Sequence, residues 1–187
     1  MPDGSPSRDR RAGRMIALSH LSALDRVIPQ VKPVRLVSLL EPEAMIATPG
    51  GVYPAMHLKI EVDDIVAPQP GAIHPREDHI RRLLEFGARW DGKTVLLVHC
   101  AGGRSRSPAA LMILLVQKNP GREAEVARML TERAPHICPN RLMVELGDQV
   151  LGLDGKLVAA LDAMPPPDGT LLEGFRSFPV LVGGRGV

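Results

Sequence analysis

One stretch of this chain leaves little freedom of architecture: residues 94–116, TVLLVHCAGGRSRSPAALMILLV. Residues 94–98 form an unbroken apolar run, the pattern of a parallel strand covered by helices on both faces. From Ser107, with Pro108 suited to a first helical turn, every side of the chain is apolar through Val116, up to Asn119-Pro120-Gly121. A helix with no polar face belongs in the middle of a core. A buried strand, a short glycine-bearing loop and a buried helix in direct succession are the start of a βα unit.

The flanking sequence supplies the rest of such a fold. Met15 opens a short apolar run, and Ser19 is placed to cap a helix over Leu21, Leu24 and Ile28 that ends near Pro29 to Pro33. Residues 34–40 (VRLVSLL) and 56–62 read as strands, separated by a loop rich in proline and glycine. Pro75 suits the start of a helix whose Ile80, Leu83, Leu84 and Gly87 fall on one face. Three further helical stripes follow, around Val126 and Leu130, Leu142 and Val150, and Leu157 and Leu161, until Pro165-Pro166-Pro167. Strands alternating with helices predict an α/β fold: a central, mostly parallel sheet flanked by helices. The expected division is a disordered basic leader at 1–14, one domain at 15–164 and a tail at 165–187. The tail holds two of the five aromatic residues, Phe175 and Phe178, and is expected to dock through them.

Composition narrows the function classes. Tyr53, Phe86, Trp90, Phe175 and Phe178 are too few for a base-stacking surface, which argues against a nucleic-acid partner. The formal net charge of +2 resides in the leader, where Arg8, Arg10, Arg11 and Arg14 outnumber Asp3 and Asp9. No apolar run approaches the ~20 residues of a membrane span, and nothing in the leader directs export, so the expected location is the cytoplasm. Cys100 and Cys138 have no CxxC spacing, and the six histidines show no HExxH, so neither a disulfide framework nor a metal site is expected.

The chemistry is concentrated in residues 99–107, HCAGGRSRS. Cys100 sits where a strand gives way to a loop whose peptide N–H groups, from Ala101, Gly102, Gly103, Arg104 and Ser105 to Arg106, curl toward the N-terminus of the buried helix. Such a nest of donors binds a dianion and favours a thiolate over a thiol. Arg106 returns to the rim, where its planar fork takes two phosphate oxygens at once. Ser107 is placed to donate to the sulfur while capping the helix. His99, the last strand residue, is expected to hold the loop from below through backbone carbonyls.

HCAGGRSRS resembles the HCxxGxxRS signature of the cysteine-based protein tyrosine phosphatases, and is most similar to the compact dual-specificity branch. APHICPN (residues 134–140) is similar to the PxIxPN stretch of that branch, where the Asn braces the active-site loops; the role would fall on Asn140. The run from Met15 to Phe178 also resembles a group of small bacterial phosphatases of this type. The resemblance implies a protein tyrosine phosphatase-like fold and hydrolysis of phosphomonoesters through a cysteinyl-phosphate, with no cofactor and no metal. It implies a general acid on a loop upstream of the cysteine, and the Asp-Ile pair of the similar proteins assigns it to Asp64, with Asp63 a solvated neighbour and Asp78 ordinary surface.

The loop departs from the family pattern at Ala101 and at Arg104. A second loop arginine leaves open whether the substrate is a phosphorylated protein or an inositol phosphate or phosphoinositide; the alternative is an Arg104 that faces away and pairs with a carboxylate. Cys138 is either a buried thiol or a redox partner of Cys100. Two rivals remain: a rhodanese-like sulfur transferase, which also places Cys-x5-Arg between strand and helix, and an adaptor that binds phosphate without turnover.

Overall fold

The computed structural model describes residues 15–181. The basic leader at 1–14 and residues 182–187 of the tail lie outside the described residues. Five strands form one sheet in the order β3-β2-β4-β1-β5. They are β1 (Met15–His20), β2 (Arg35–Leu40), β3 (His57–Glu61), β4 (Leu96–Cys100) and β5 (Phe175–Pro179). The first four are parallel, and β5 runs antiparallel along the edge of β1. Among the described residues there are six α-helices: α1 (Leu24–Val31), α2 (Glu77–Ala88), α3 (Arg106–Lys118), α4 (Glu123–Arg133), α5 (Arg141–Leu151) and α6 (Lys156–Asp162). This is the expected α/β fold with a mostly parallel sheet.

The two faces of the sheet are covered unequally. Ile16, Leu18, Val37, Leu39, Val98 and Cys100 face a large core built with α2 to α6. Ala17, Leu36 and Leu97 face a small one closed by α1 and Val52. The unbroken apolar run of β4 is therefore covered on both faces, but by helices mainly on one. α3 lies at the centre of the larger layer, and every residue from Arg106 to Val116 is buried. α5 approaches it closely because position 147 is a glycine: a Cβ there would stand 2.6 Å from the Ile113 side chain. Asp148, buried one residue later, accepts from the backbone N–H groups of Gly155 and Leu157 at 2.7 Å each, and so ties α5 to the start of α6.

Two local expectations change. Ser19 does not cap a helix; it lies within β1, and its hydroxyl donates to the Gly174 carbonyl at 2.8 Å. β1 persists through Ser19 because both its edges are paired, with β4 and with β5, and α1 then starts after a single 3₁₀ turn and contains Pro29. The C-terminal segment does more than dock, since β5 is a strand of the sheet. Phe178 opposes Ile16 and is wholly buried, whereas Phe175 is half-buried on the α1 face. Among the described residues no helix is long and apolar enough to cross a membrane.

Phe178→Ala should lower unfolding stability by about 3–5 kcal/mol, the usual loss for emptying a buried phenylalanine site. Urea denaturation measures it, and a change below about 0.5 kcal/mol, within surface-substitution range, would show that β5 is not part of the cooperative core.

Candidate active site

β4 ends at Cys100 and α3 begins at Arg106, so residues 101–105 make the turn between them. The carbonyls of this loop are drawn outward and held: Ala101 by the N–H of Leu21 at 3.1 Å, Arg104 by Cys138 at 2.8 Å, and Ser105 by Asn140 at 3.1 Å. Peptide planes anchored by their oxygens turn their N–H groups the other way, and among the described residues the amides of Ala101, Gly102, Gly103, Arg104 and Ser105 have no acceptor. The result is a concave set of unspent peptide N–H groups at the start of α3, the geometry of a backbone nest. Gly103 makes the turn possible. Its φ is +64°, and an added Cβ would stand 2.8 Å from Leu172 and 2.9 Å from the Ser19 carbonyl. Gly102 has open space around it.

Cys100 is buried on the α3 face of the sheet, and the Ser107 hydroxyl donates to its sulfur at 3.1 Å. Ser107 does not cap α3 as expected. The helix already starts at Arg106, which turns the hydroxyl back onto the sulfur. Arg106 is buried, and its Nη1 donates to the Val62 carbonyl at 2.7 Å and pairs with Glu41 at 2.9 Å. The Nε of Arg106 is buried without a hydrogen-bond partner and lies 3.9 Å from Asp64 Oδ2. The guanidinium is thus clamped on one side and unspent on the other.

The two neighbouring aspartates have separate surroundings. Asp64 Oδ1 accepts from the Ser105 hydroxyl at 2.6 Å and from Asn140 Nδ2 at 3.0 Å, which brings the carboxylate to the loop of Cys100. Asp63 is not a merely solvated neighbour: its Oδ2 accepts from Ile73 N–H at 2.6 Å, and its own N–H donates to the Ile73 carbonyl at 2.8 Å, closing the segment between them. Asp78 is exposed in the first turn of α2, paired with Arg76. Asn140 spans three elements. Its Oδ1 caps α5 at Met143 N–H, its Nδ2 reaches Asp64 and the Ile65 carbonyl, and its backbone N–H holds Ser105.

His99 points to the opposite face from Cys100, and it holds the loop differently from the expectation. Its Nε2 meets the Ser38 hydroxyl at 2.6 Å; Ser38 also meets His57 Nε2 at 2.8 Å, and His57 Nδ1 meets Thr48 at 3.0 Å. The register sets Ser38 directly beside His99 on paired strands, so a hydroxyl rather than a carbonyl is the nearest partner. Burial pushes both imidazoles down to about 4, so both are neutral at physiological pH.

Arg104 is exposed and, among the described residues, makes no ion pair within 4 Å, but it lies near Asp168, whose carboxyl is held below its usual range first by hydrogen bonds from Thr170 and in lesser part by Arg104. Cys138 is exposed, not a buried thiol. No group of three His, Cys, Asp or Glu among the described residues could hold a metal ion. Sequence reasoning missed Glu41, Ser38, His57 and Thr48. A polar Ser38 inside the apolar VRLVSLL, and an acid directly after that strand, were the available signals.

Against family models and curated proteins, the chain gives no match. Solved structures do match. The chain superposes on PTPMT1, solved in complex with PI(5)P, with a TM-score of 0.56 at 16% identity, over 77% of this chain and 97% of that one. It matches the Yvh1 phosphatase domain from Chaetomium thermophilum with a TM-score of 0.57 at 18% identity, over 76% and 93%. A second PTPMT1 structure matches at 20% identity with a TM-score of 0.54, over 78% and 98%. The chain has the protein tyrosine phosphatase fold of the dual-specificity type.

The neutral histidines carry a pH consequence. An unfolded imidazole titrates near 6.5, and these two, when folded, near 4. Between those values the unfolded chain takes up protons that the folded chain refuses, so stability present above pH 6.5 is lost as the pH falls toward 4. The slope is at most about 1.4 kcal/mol per pH unit for each histidine. Urea midpoints at pH 7.0, 6.0 and 5.5 should fall in the wild type and fall less in His57→Gln; equal slopes would contradict the assignment.

Proposed function

We propose that this protein is a cysteine-dependent phosphomonoester hydrolase. The observation that carries the reading is that Asp64, 36 residues upstream in sequence, is held by Ser105 and Asn140 on the loop that bears Cys100 and Arg106. A nucleophile, a cation and a carboxylate in one place are what a two-step phosphoryl transfer needs.

In the first step the Cys100 sulfur forms a bond to phosphorus as the bond from phosphorus to the leaving oxygen breaks. Arg106 and the loop amides hold the equatorial oxygens, whose charge is the main quantity to stabilise. Asp64 protonates the leaving oxygen. Its Oδ1 is committed to Ser105 and Asn140, so Oδ2 is the oxygen that carries the proton. In the second step Asp64, now ionised, takes a proton from water as that water attacks phosphorus, and the sulfur departs as a thiolate that receives the Ser107 hydroxyl. Glu41 and the Val62 carbonyl keep Arg106 from swinging into the space the phosphate occupies. The positive field comes from side chain and backbone, so no metal is assigned a role.

The substrate class we favour is a phosphorylated protein, of phosphotyrosine or dual specificity. A second reading, an inositol phosphate or phosphoinositide, is favoured by Arg104, a second arginine exposed on the loop. One structural neighbour was solved with PI(5)P.

Cys100→Ser should abolish release of phosphate from p-nitrophenyl phosphate while leaving binding of tungstate intact. Binding without turnover in the wild type would mean an adaptor, and sulfur transfer from thiosulfate without phosphatase activity would mean a rhodanese-like enzyme. Activity should survive excess chelator. Asp64→Asn should lower kcat by about 10²- to 10⁴-fold on alkyl phosphates, with a smaller loss on p-nitrophenyl phosphate, whose leaving group needs no proton. If Asp63→Asn had that effect and Asp64→Asn did not, the acid would be misassigned. Arg104→Ala separates the two substrate readings: a rise in KM confined to inositol phosphates supports the second, and an equal effect on phosphopeptides the first.

A further inference from the structure

Between β3, which ends at Glu61, and α2, which starts at Glu77, residues 62–76 contain neither a strand nor a helix. Asp64 lies in that stretch, so its carboxylate meets Ser105 only if an irregular segment is held in one shape. Residues 66–71 are all exposed, the apolar Val66 included. Little apolar burial is available to fix such a loop, and segments of that kind open at low free-energy cost. The forces that close it must then be polar.

The fastenings are few. Val62 N–H donates to the Leu40 carbonyl at 2.9 Å and prolongs the pairing of β3 with β2. Asn140 Nδ2 reaches the Ile65 carbonyl at 3.1 Å. Ala72 N–H donates to the Gln69 carbonyl at 3.2 Å, a turn local to the tip in which Gly71 has a φ of +78°. The outgoing limb of the loop is joined to the returning one at Asp63 and Ile73. Asp63 Oδ2 accepts from Ile73 N–H at 2.6 Å, and Asp63 N–H donates to the Ile73 carbonyl at 2.8 Å. The first of these bonds ends on a carboxylate, which makes it the stronger kind. Together they close residues 64–72 at their base and remove the conformations in which the two limbs separate.

We propose that Asp63 is a positioning residue for the general acid: its carboxylate ties the two limbs together and so keeps Asp64 beside Ser105 and Asn140. When the tie opens, Asp64 moves into solvent, where it neither protonates the leaving oxygen nor takes a proton from the attacking water. Phosphate is still held, because Arg106 and the amides of residues 101–105 lie outside this loop. The effect therefore falls on kcat, which scales with the fraction of molecules whose loop is closed. This kinetic consequence rests on the phosphatase reading, whereas the tie itself does not.

Two substitutions in the full chain test it. Asp63→Ala removes the acceptor, and Asp63→Asn keeps an oxygen that can accept from Ile73. The Ala variant should lose roughly 10-fold in kcat on alkyl phosphates, the scale of one hydrogen bond to a charged group. Its KM should change little, and its loss on p-nitrophenyl phosphate should be smaller; the Asn variant should recover most of the activity. Exchange of the Ile73 amide hydrogen should quicken in the Ala variant by a similar factor, because the same opening governs both, and stay near the wild-type rate in the Asn variant. Asp63 lies outside the apolar core, so the urea midpoint of the Ala variant should match the wild type. In an Asp64→Asn background, Asp63→Ala should cost nothing more on alkyl phosphates, since Asp63 acts only through Asp64. An Ile73 amide that exchanges equally fast in the Ala variant and the wild type would overturn the proposal. So would equal losses on the two ester classes, or a further loss in the double variant. Should the wild type release no phosphate from any ester, the phosphatase reading fails, while the exchange rate of Ile73 still decides the tie.

Discussion

A buried guanidinium holds this site together. Arg106 lies at the first position of a helix with no exposed residue through Val116, and a charge so placed is strongly unfavourable unless it is paired and hydrogen-bonded. Its partners come from the C-terminal ends of two other strands: Glu41 just after β2, and the Val62 carbonyl just after β3. Satisfying one cation thus draws three loops to the same end of the sheet. Asp64, two residues beyond Val62, is carried along, and Asn140 and Ser105 fix its carboxylate once it arrives.

The period of a β-strand does the rest of the sorting. Successive side chains point to opposite faces, so His99 and Cys100 cannot share one. Cys100 joins the α3 side, where Ser107 meets its sulfur, and His99 joins Ser38 and His57 on the thinner α1 side. The chemistry of an anion site needs donors on one side and an immobile support on the other. Here the support is a buried chain of hydrogen-bonded side chains, and the donors are amides whose carbonyls are tied outward to Leu21, Cys138 and Asn140.

Such a site lowers stability in exchange for geometry. Two imidazoles held neutral well below their ordinary pKa, an arginine with an unpartnered Nε and a glycine at positive φ are all features a purely structural core would avoid. The apolar mass of α3 and the layer around it offsets them. β5 contributes by burying Phe178 and by bringing Leu172 behind Gly103, so a segment that reads as a tail closes the back of the loop.

What could be read from the chain alone was what depends on local order. TVLLV, the glycine loop and the all-apolar helix can satisfy their burial only as a βα junction, and Cys100, Arg106 and Ser107 follow from residue types within that junction. The Asp-Ile pair and APHICPN named Asp64 and Asn140, though not the hydrogen bond between them. The tertiary structure alone decided what depends on strand register and on contacts distant in sequence. Glu41 met Arg106 because two parallel strands end level, and Ser38 met His99 because β2 and β4 pair at those residues. Ser19 became a strand residue because β4 and β5 flank β1 on both edges. Local propensity carries no information about which strand lies alongside, and that neighbour is what turned a serine, two histidines and a threonine into one chain beneath Cys100.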